Sequence, residues 1–264
     1  MDLELTGRAA VVTGGSLGIG RAVTRELARE GADVVITARR PAALERTAKE
    51  LEAETGRRVI PLASDTTDTA SVRRMMDAAA AELGRVDILV NGAAAPSGLV
   101  RNSIEDADPE LLLTDINTKV VGYFRCAQAV TPHMKANGYG RILNIGGLTG
   151  RSSHALSGLR NLAVVHMTKA LSDQLGPSGI TVNTVHPGVV ETEHIHELYE
   201  KEAAKRGTTP AAVEADFAAR TPIRRILEAT EIAQAVCFLA SPRAAAITGE
   251  SLGIDGGLTR GIFL

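Results

Sequence analysis

The sequence predicts an α/β fold: a doubly wound, parallel, seven-stranded sheet with helices on both faces. Three observations predict it. Short β-rich runs alternate with longer helical patterns from end to end. The short runs are continuously apolar rather than alternating in polarity, as in strands covered on both sides. The chain, at 264 residues and 44% hydrophobic, is long enough for one large core. Right-handed crossovers between such strands give the doubly wound arrangement.

Taken in order, the strands are expected at 9–13, 33–38, 59–62, 86–90, 141–145, 180–185 and 251–254. Helical periodicity fills the gaps at about 19–30, 41–55, 68–83, 109–136, 158–175 and 229–240. One segment breaks the alternation. From Glu191 to Arg225 the chain is polar and rich in Ala and Glu. An insertion after the carboxyl end of a strand is where a substrate lid is expected. The organisation is thus a single dinucleotide-type domain over 1–264 with a lid at about 191–225.

Composition excludes several roles. Lys and Arg (29) are interspersed with Asp and Glu (31) for a net charge of −2, which leaves no basic stripe for nucleic acid and no polybasic membrane anchor. Cys126 and Cys237 lie outside any metal-type spacing and fit a reducing compartment. The acidic start enters a strand almost at once, and no apolar run reaches membrane-spanning length, so a cytoplasmic location is expected.

The first strand runs into Thr13-Gly14-Gly15-Ser16-Leu17-Gly18-Ile19-Gly20 and then a helix. Glycines let the backbone turn tightly and approach a pyrophosphate, whose charge is favoured by the free N–H groups and dipole of the helix. A Rossmann-type dinucleotide site follows, with Gly14, Ser16, Gly18, Ile19 and Gly20 at the phosphates. The second strand ends Thr37-Ala38-Arg39-Arg40. An NAD site places a carboxylate there for the ribose 2′-OH, whereas a 2′-phosphate needs a cation. Ala38 holds the usual acidic position, so Arg39 and Arg40 favour NADP over NAD, although Leu17 adds no second basic group.

Further motifs appear in order: Val90-Asn91-Gly92-Ala93-Ala94 after the fourth strand, Pro187-Gly188-Val189-Val190-Glu191-Thr192 after the sixth, and Asp255-Gly256-Gly257 after the seventh. With the glycine-rich turn they resemble the short-chain dehydrogenase/reductase family over nearly the whole chain. The resemblance implies that Asn91 and Gly92 brace the sheet beside the adenosine. It likewise implies that Asp65 lies near the adenine and that Pro187, Gly188, Val190 and Thr192 hold the nicotinamide carboxamide. For Asn91 and Asp255, turn-making is an equal alternative.

The family's acid catalyst is a tyrosine in Tyr-x-x-x-Lys, assisted by a serine and by an asparagine from the preceding helix. Here Tyr123, Tyr139 and Tyr199 are the only tyrosines, and none lies between Gly146 and Lys169. Gly147 occupies the serine's place. Alignment from the downstream motifs puts Ser157 at the tyrosine position and Asn161 at the lysine position; counting forward from Gly147 lands on Arg160 and Val164. The helix asparagine is Asn117 when anchored on Asp115-Ile116, and Lys119 when anchored on Gly122-Tyr123-Phe124, because two extra residues separate the anchors. Asn117 and Lys119 lie about 200° apart on an α-helix, so only one can face the site.

If Lys119 faces it, Lys119 and Asn161 form an exchanged pair relative to the family, and a desolvated ammonium would stabilise a developing oxyanion. The expected constellation is His154 as acid, Ser157 as relay and Lys119 as support, with Asn161 beside them. His194 and His196 with Glu191, Glu193 and Glu197 are set aside as a metal site, because i,i+2 side chains diverge on a helix. His186 packs against the sheet or lines the pocket, and Arg151 and Arg160 are candidate anion clamps at the mouth. The expected function is an NADP(H)-dependent oxidoreductase acting on a carbonyl or alcohol of a small aliphatic substrate. The alternative is an NADP-binding protein without redox turnover, structural, regulatory, or a non-redox lyase or isomerase. Apolar stripes including Val120, Val121, Leu162, Val164 and Val165 point to a homodimer or homotetramer, the arrangement the resemblance also implies.

Overall fold

The computed structural model describes residues 1–95, 98–100, 103–151 and 155–261. Seven strands form one parallel sheet: β1 (Ala9–Thr13), β2 (Asp33–Thr37), β3 (Val59–Pro61), β4 (Ile88–Asn91), β5 (Gly140–Ile145), β6 (Ile180–Pro187) and β9 (Ser251–Ile254). Their order is β3-β2-β1-β4-β5-β6-β9, every neighbouring pair parallel. The order reverses between β1 and β4, and at such a switch point the carboxyl ends open a crevice. The remaining strands, β7 (Val190–Glu191) and β8 (Leu227–Glu228), pair with each other beside it.

The helices are α1 (Gly18–Arg29), α2 (Pro41–Thr55), α3 (Thr69–Leu83), α4 (Pro109–Ile116), α5 (Gly122–Asn137), α6 (Gly158–Leu175), α7 (Glu193–Arg206), α8 (Pro210–Arg220) and α9 (Ala229–Ala240). Two apolar layers hold them to the sheet. On one face Val12, Val34, Ile36 and Val90 meet Val23 and Leu27 of α1 and Val236 of α9. On the other, Val11, Val35, Leu89 and Ile142 meet Met76 of α3 and Val130 and Met134 of α5. Adjacent strand residues thus go to opposite layers, which is why both positions of each run are apolar. Each such Val or Leu contributes roughly 1.5–3 kcal/mol by leaving water.

Three details go beyond or against the sequence reading. The helix expected over 109–136 is broken by a π-helical turn at Asn117–Val121, where the Gly122 N–H reaches back five residues to the Asn117 carbonyl. A π-turn absorbs inserted residues without ending the helix. The 191–225 segment, left without elements in the sequence reading, holds the pair α7 and α8, which share a small core of Ile195, Tyr199, Ala203 and Val213. Val164, read from its spacing as part of an outward stripe, is fully buried instead. No helix among the described residues is long and apolar enough to cross a membrane.

Candidate active site

A cleft of about 1760 Å³ runs along the carboxyl ends of the strands, from the β2 terminus past β1 and β4 to α7 and α8. Its first half is built by close backbone packing. Gly14 turns with φ 72° and donates its N–H to the Thr37 carbonyl at 2.7 Å, while a Cβ on it would lie 3.0 Å from the Gly92 carbonyl group. A Cβ on Gly20 would lie 2.2 Å from the Gly14 carbonyl oxygen, so α1 can start this close only with glycine there. The start of α1 has no side-chain cap from Leu17. The Gly18 N–H donates instead to a carboxylate oxygen of Glu193, at 3.2 Å, from the first turn of α7.

Ser16, Ile19, Arg39, Arg40 and Asp65 all line this half. Arg39 and Arg40 are exposed, and neither is in an ion pair among the described residues. Asp65 accepts hydrogen bonds from the Thr67 N–H and hydroxyl, which hold its carboxyl below the usual carboxylate range. Gly92 is at the cleft, its N–H donating to the Thr13 hydroxyl, but Asn91 is not. Asn91 is fully buried and donates to Asn144, which donates to Thr168, which meets Thr184. It braces β4 against β5 and β6 from below. Asp255, likewise, turns its own loop by accepting from the Gly257 and Thr259 N–H groups.

Pro187, Gly188, Val190 and Thr192 line the second half. There the π-turn settles the choice between Asn117 and Lys119. Asn117 points away and accepts from the Arg125 guanidinium at 3.0 Å. Lys119 points in: its side chain is buried, and its Nζ donates to the Gly146 carbonyl at 2.8 Å and to the Asn161 Oδ1 at 2.7 Å. Asn161 in turn donates to the Thr149 hydroxyl at 2.7 Å. Burial first, and the Arg160 charge second, lower the Lys119 pKa from 10.5 to about 7, against a smaller raising effect of Asp115.

Glycines make room for this pair. A Cβ on Gly147 would sit 2.7 Å from the Asn161 Nδ2, and one on Gly150 would sit 3.0 Å from the Asn161 Cβ. The missing serine and the asparagine that replaces lysine are therefore one packing solution. Arg160 is a correction: rather than a clamp at the mouth, it is buried, paired with Asp115 at 2.5 Å and donating to the Ala95 carbonyl. Arg151 is tied to the Ser251 carbonyl.

Ser157 lines the cleft and is buried at the entry to α6, but no hydrogen bond joins it to Lys119 or Asn161. His154 lies outside the described residues. Among the described residues it is the Lys119–Asn161 pair that is assembled. Tyr123, which sequence reasoning set aside, also borders the cleft, but its hydroxyl donates to the Ile145 carbonyl and burial pushes its pKa up, so it is a poor acid. Its place one turn beyond Lys119 was the available signal. Among the described residues no three metal-binding side chains gather, and His196 is paired with Glu191 at 2.7 Å.

Known proteins agree with this architecture. The family model described as enoyl-(acyl carrier protein) reductase matches residues 14–259. The chain is 36% identical over 262 residues to the 3-oxoacyl-(acyl-carrier-protein) reductase FabG of Vibrio cholerae, covering 97% of this chain and 99% of that one. It is 36% identical over 257 residues to the cis-4-hydroxycyclohexanecarboxylate dehydrogenase of Sinomonas cyclohexanicum, covering 96% of each. The L-sorbose reductase of Gluconobacter frateurii, solved with NADPH and L-sorbose, superposes with a TM-score of 0.93 at 27% identity, over 99% of this chain and 100% of that one.

Proposed function

The chain belongs to the short-chain dehydrogenase/reductase family, and from that premise we propose that it is an NADPH-dependent carbonyl reductase whose proton donor is Lys119. One observation carries the proposal: a buried ammonium in the cleft with two of its three N–H bonds fixed, by Gly146 and Asn161. The third N–H is left for a substrate oxygen. NADPH, when bound, supplies the hydride.

The chain's own groups fit that cofactor. The glycine cradle admits a pyrophosphate where a Cβ would not allow it, and the two exposed guanidiniums at the β2 terminus suit a 2′-phosphate. Relatives that reduce carbonyls, one of them solved with NADPH, support the same choice. Lys119 polarises the carbonyl of a small aliphatic substrate and delivers its proton as the oxygen gains charge. A lysine with a pKa of about 7 is a far better donor at neutral pH than one at 10.5. Neutral Lys119 then regains a proton from solvent in the cleft, and Asn161 keeps the amine aimed throughout. The pair α7 and α8 forms the lid, with Ile195, Leu198 and Phe217 facing the cleft.

The test is NADPH consumption with a panel of small ketones and an acetoacetyl thioester, comparing the wild type with Lys119→Met. Turnover that depends on Lys119 supports the reading, and Lys119→Met with wild-type turnover ends it. Binding of NADPH with no turnover on any carbonyl would favour a cofactor-binding role instead. The exposed Leu111, Leu113, Phe124, Leu159 and Leu162 of α4, α5 and α6 suit a homo-oligomer, which the mass in solution checks.

A further inference from the structure

We infer that His186 is a positioning residue for Lys119, acting through the peptide bond between Gly146 and Gly147. The inference rests on the reading of Lys119 as proton donor. The carbonyl of that peptide is the Gly146 oxygen that accepts from Lys119, at 2.8 Å. Its N–H is that of Gly147, which donates to the His186 Nδ1 at 2.9 Å. One rigid peptide plane is therefore gripped from both sides, and its carbonyl cannot turn without breaking the bond to His186.

Hydrogen-bond accounting assigns the tautomer. The Gly147 carbonyl, 3.0 Å from Nδ1, already accepts from the Gly150 N–H at 3.2 Å. The Gly147 N–H has no such second partner among the described residues. Placing the imidazole proton on Nε2 satisfies both groups of the Gly147 backbone and both ring nitrogens: Nδ1 accepts from the Gly147 N–H, and Nε2–H donates to the Ser251 hydroxyl at 2.7 Å. The ring is fully buried on β6, and burial above all lowers its pKa to about 4, so it stays neutral wherever Lys119 titrates. The glycine is part of the device. A Cβ on Gly146 would lie 2.5 Å from Nδ1, so no other residue lets the ring approach this peptide.

Because His186 is neutral, removing it takes no charge away from Lys119. The charged groups facing Lys119 stay in place: Asp115 of α4 and Arg160 of α6, with the uncharged Tyr123 of α5 beside them. Arg151 and Asp255 face His186 itself and are likewise untouched. Any change in the titration of Lys119 then reports the aim of the Gly146 carbonyl. An ammonium that loses an acceptor is less stable, so the pKa falls, by roughly one unit for one charge-assisted hydrogen bond.

The experiment measures the ratio of NADP⁺ to NADPH affinity against pH by fluorescence titration. The ratio cancels the titration of the cofactor's phosphate and reports the repulsion between the ammonium and the oxidised nicotinamide. The wild type is expected to show an inflection near the Lys119 value, and Lys119→Met none. In His186→Leu the inflection moves about one unit lower, and in His186→Asn, whose Oδ1 can accept from Gly147, it returns close to wild type. Ser251→Ala, which frees Nε2 without emptying the core, moves it the same way by less, and it decides the matter if His186→Leu does not fold. A wild-type inflection in Ser251→Ala and in any folded His186→Leu, with Lys119→Met flat, overturns the inference and leaves the donor in place. No inflection in the wild type, or one retained in Lys119→Met, overturns both.

Discussion

The two halves of the cleft were built under different constraints. Along the cofactor half the backbone does the work: Gly14, Gly20 and Gly92 lie too close to neighbouring backbone for any side chain, and Arg39 and Arg40 stand exposed at the β2 terminus. Along the reacting half the side chains do the work, and each depends on its neighbour. Lys119 needs Asn161 and the Gly146 carbonyl, Asn161 needs the space at Gly147 and Gly150, and the Gly146 peptide needs His186. Backbone constraints can be met by one residue type at one position, so they survive as motifs. A packed set of side chains can change together, and a motif read one residue at a time then looks merely lost.

The largest effect separates the halves outright. Lys119→Met is expected to lower turnover by about 10²–10⁴, the usual worth of general acid catalysis, while NADPH affinity stays within a few-fold. Steady-state kinetics beside cofactor titration checks it, and a large loss of affinity would mean the halves are not separable. The wild-type pH profile carries the same message. With Lys119 as the proposed proton donor, kcat for reduction is expected to fall as pH rises through about 7, and alcohol oxidation, which would use the neutral amine, to rise over the same range. Stability follows the opposite logic from an ion-paired lysine. Because the folded pKa is lowered from 10.5, folding favours the neutral amine, and stability increases as pH climbs from about 7 towards 10.5. Chemical denaturation across that range should show the slope in wild type and a flatter profile in Lys119→Met.

This contrast also explains what could be read from the sequence alone. The seven strands were legible because continuous apolar runs have no other use, and α6 because no glycine or proline interrupts residues 159–175. The glycine-rich turn and the Pro-Gly segment were legible for the backbone reasons above. Two extra residues near Asn117 were visible as well, but their consequence was not. Whether an insertion ends a helix, shifts its face or widens one turn depends on what waits on either side, here Arg125 for Asn117 and the Gly146 carbonyl for Lys119. The Arg160–Asp115 pair was hidden for a similar reason. An arginine in the first turn of a helix reads as exposed until the fold brings beside it a buried carboxylate from 45 positions earlier.

A second effect, smaller, belongs to the cofactor half. Replacing both Arg39 and Arg40 with Ala should weaken NADPH by about 10–100-fold and leave NADH nearly unchanged, since exposed charge-assisted contacts give less than buried ones. Equal losses for both cofactors would assign the arginines to folding rather than to the 2′-phosphate. A third, about 10-fold, comes from restoring the family's serine. Gly147→Ser is expected to lower turnover, because its Cβ would sit 2.7 Å from the Asn161 Nδ2 and push Asn161 off Lys119. A gain in activity instead would show that the reacting half accommodates a serine beside Asn161.

The smallest effect lies where the halves meet. The Glu193 carboxylate, on the first turn of α7, accepts from the Gly18 N–H at the start of α1, the position a pyrophosphate is expected to take. Two anions cannot share one helix N-terminus, so cofactor entry must displace the Glu193 carboxylate. The contact is exposed and easily screened, so Glu193→Gln should tighten NADPH by only about 2–5-fold at low salt, and by less as ionic strength rises. Titration at two salt concentrations separates this from a packing effect, which salt would not erase. If Glu193→Gln binds NADPH no more tightly at either concentration, the carboxylate does not compete with the phosphates, and α7 and the glycine-rich turn act independently.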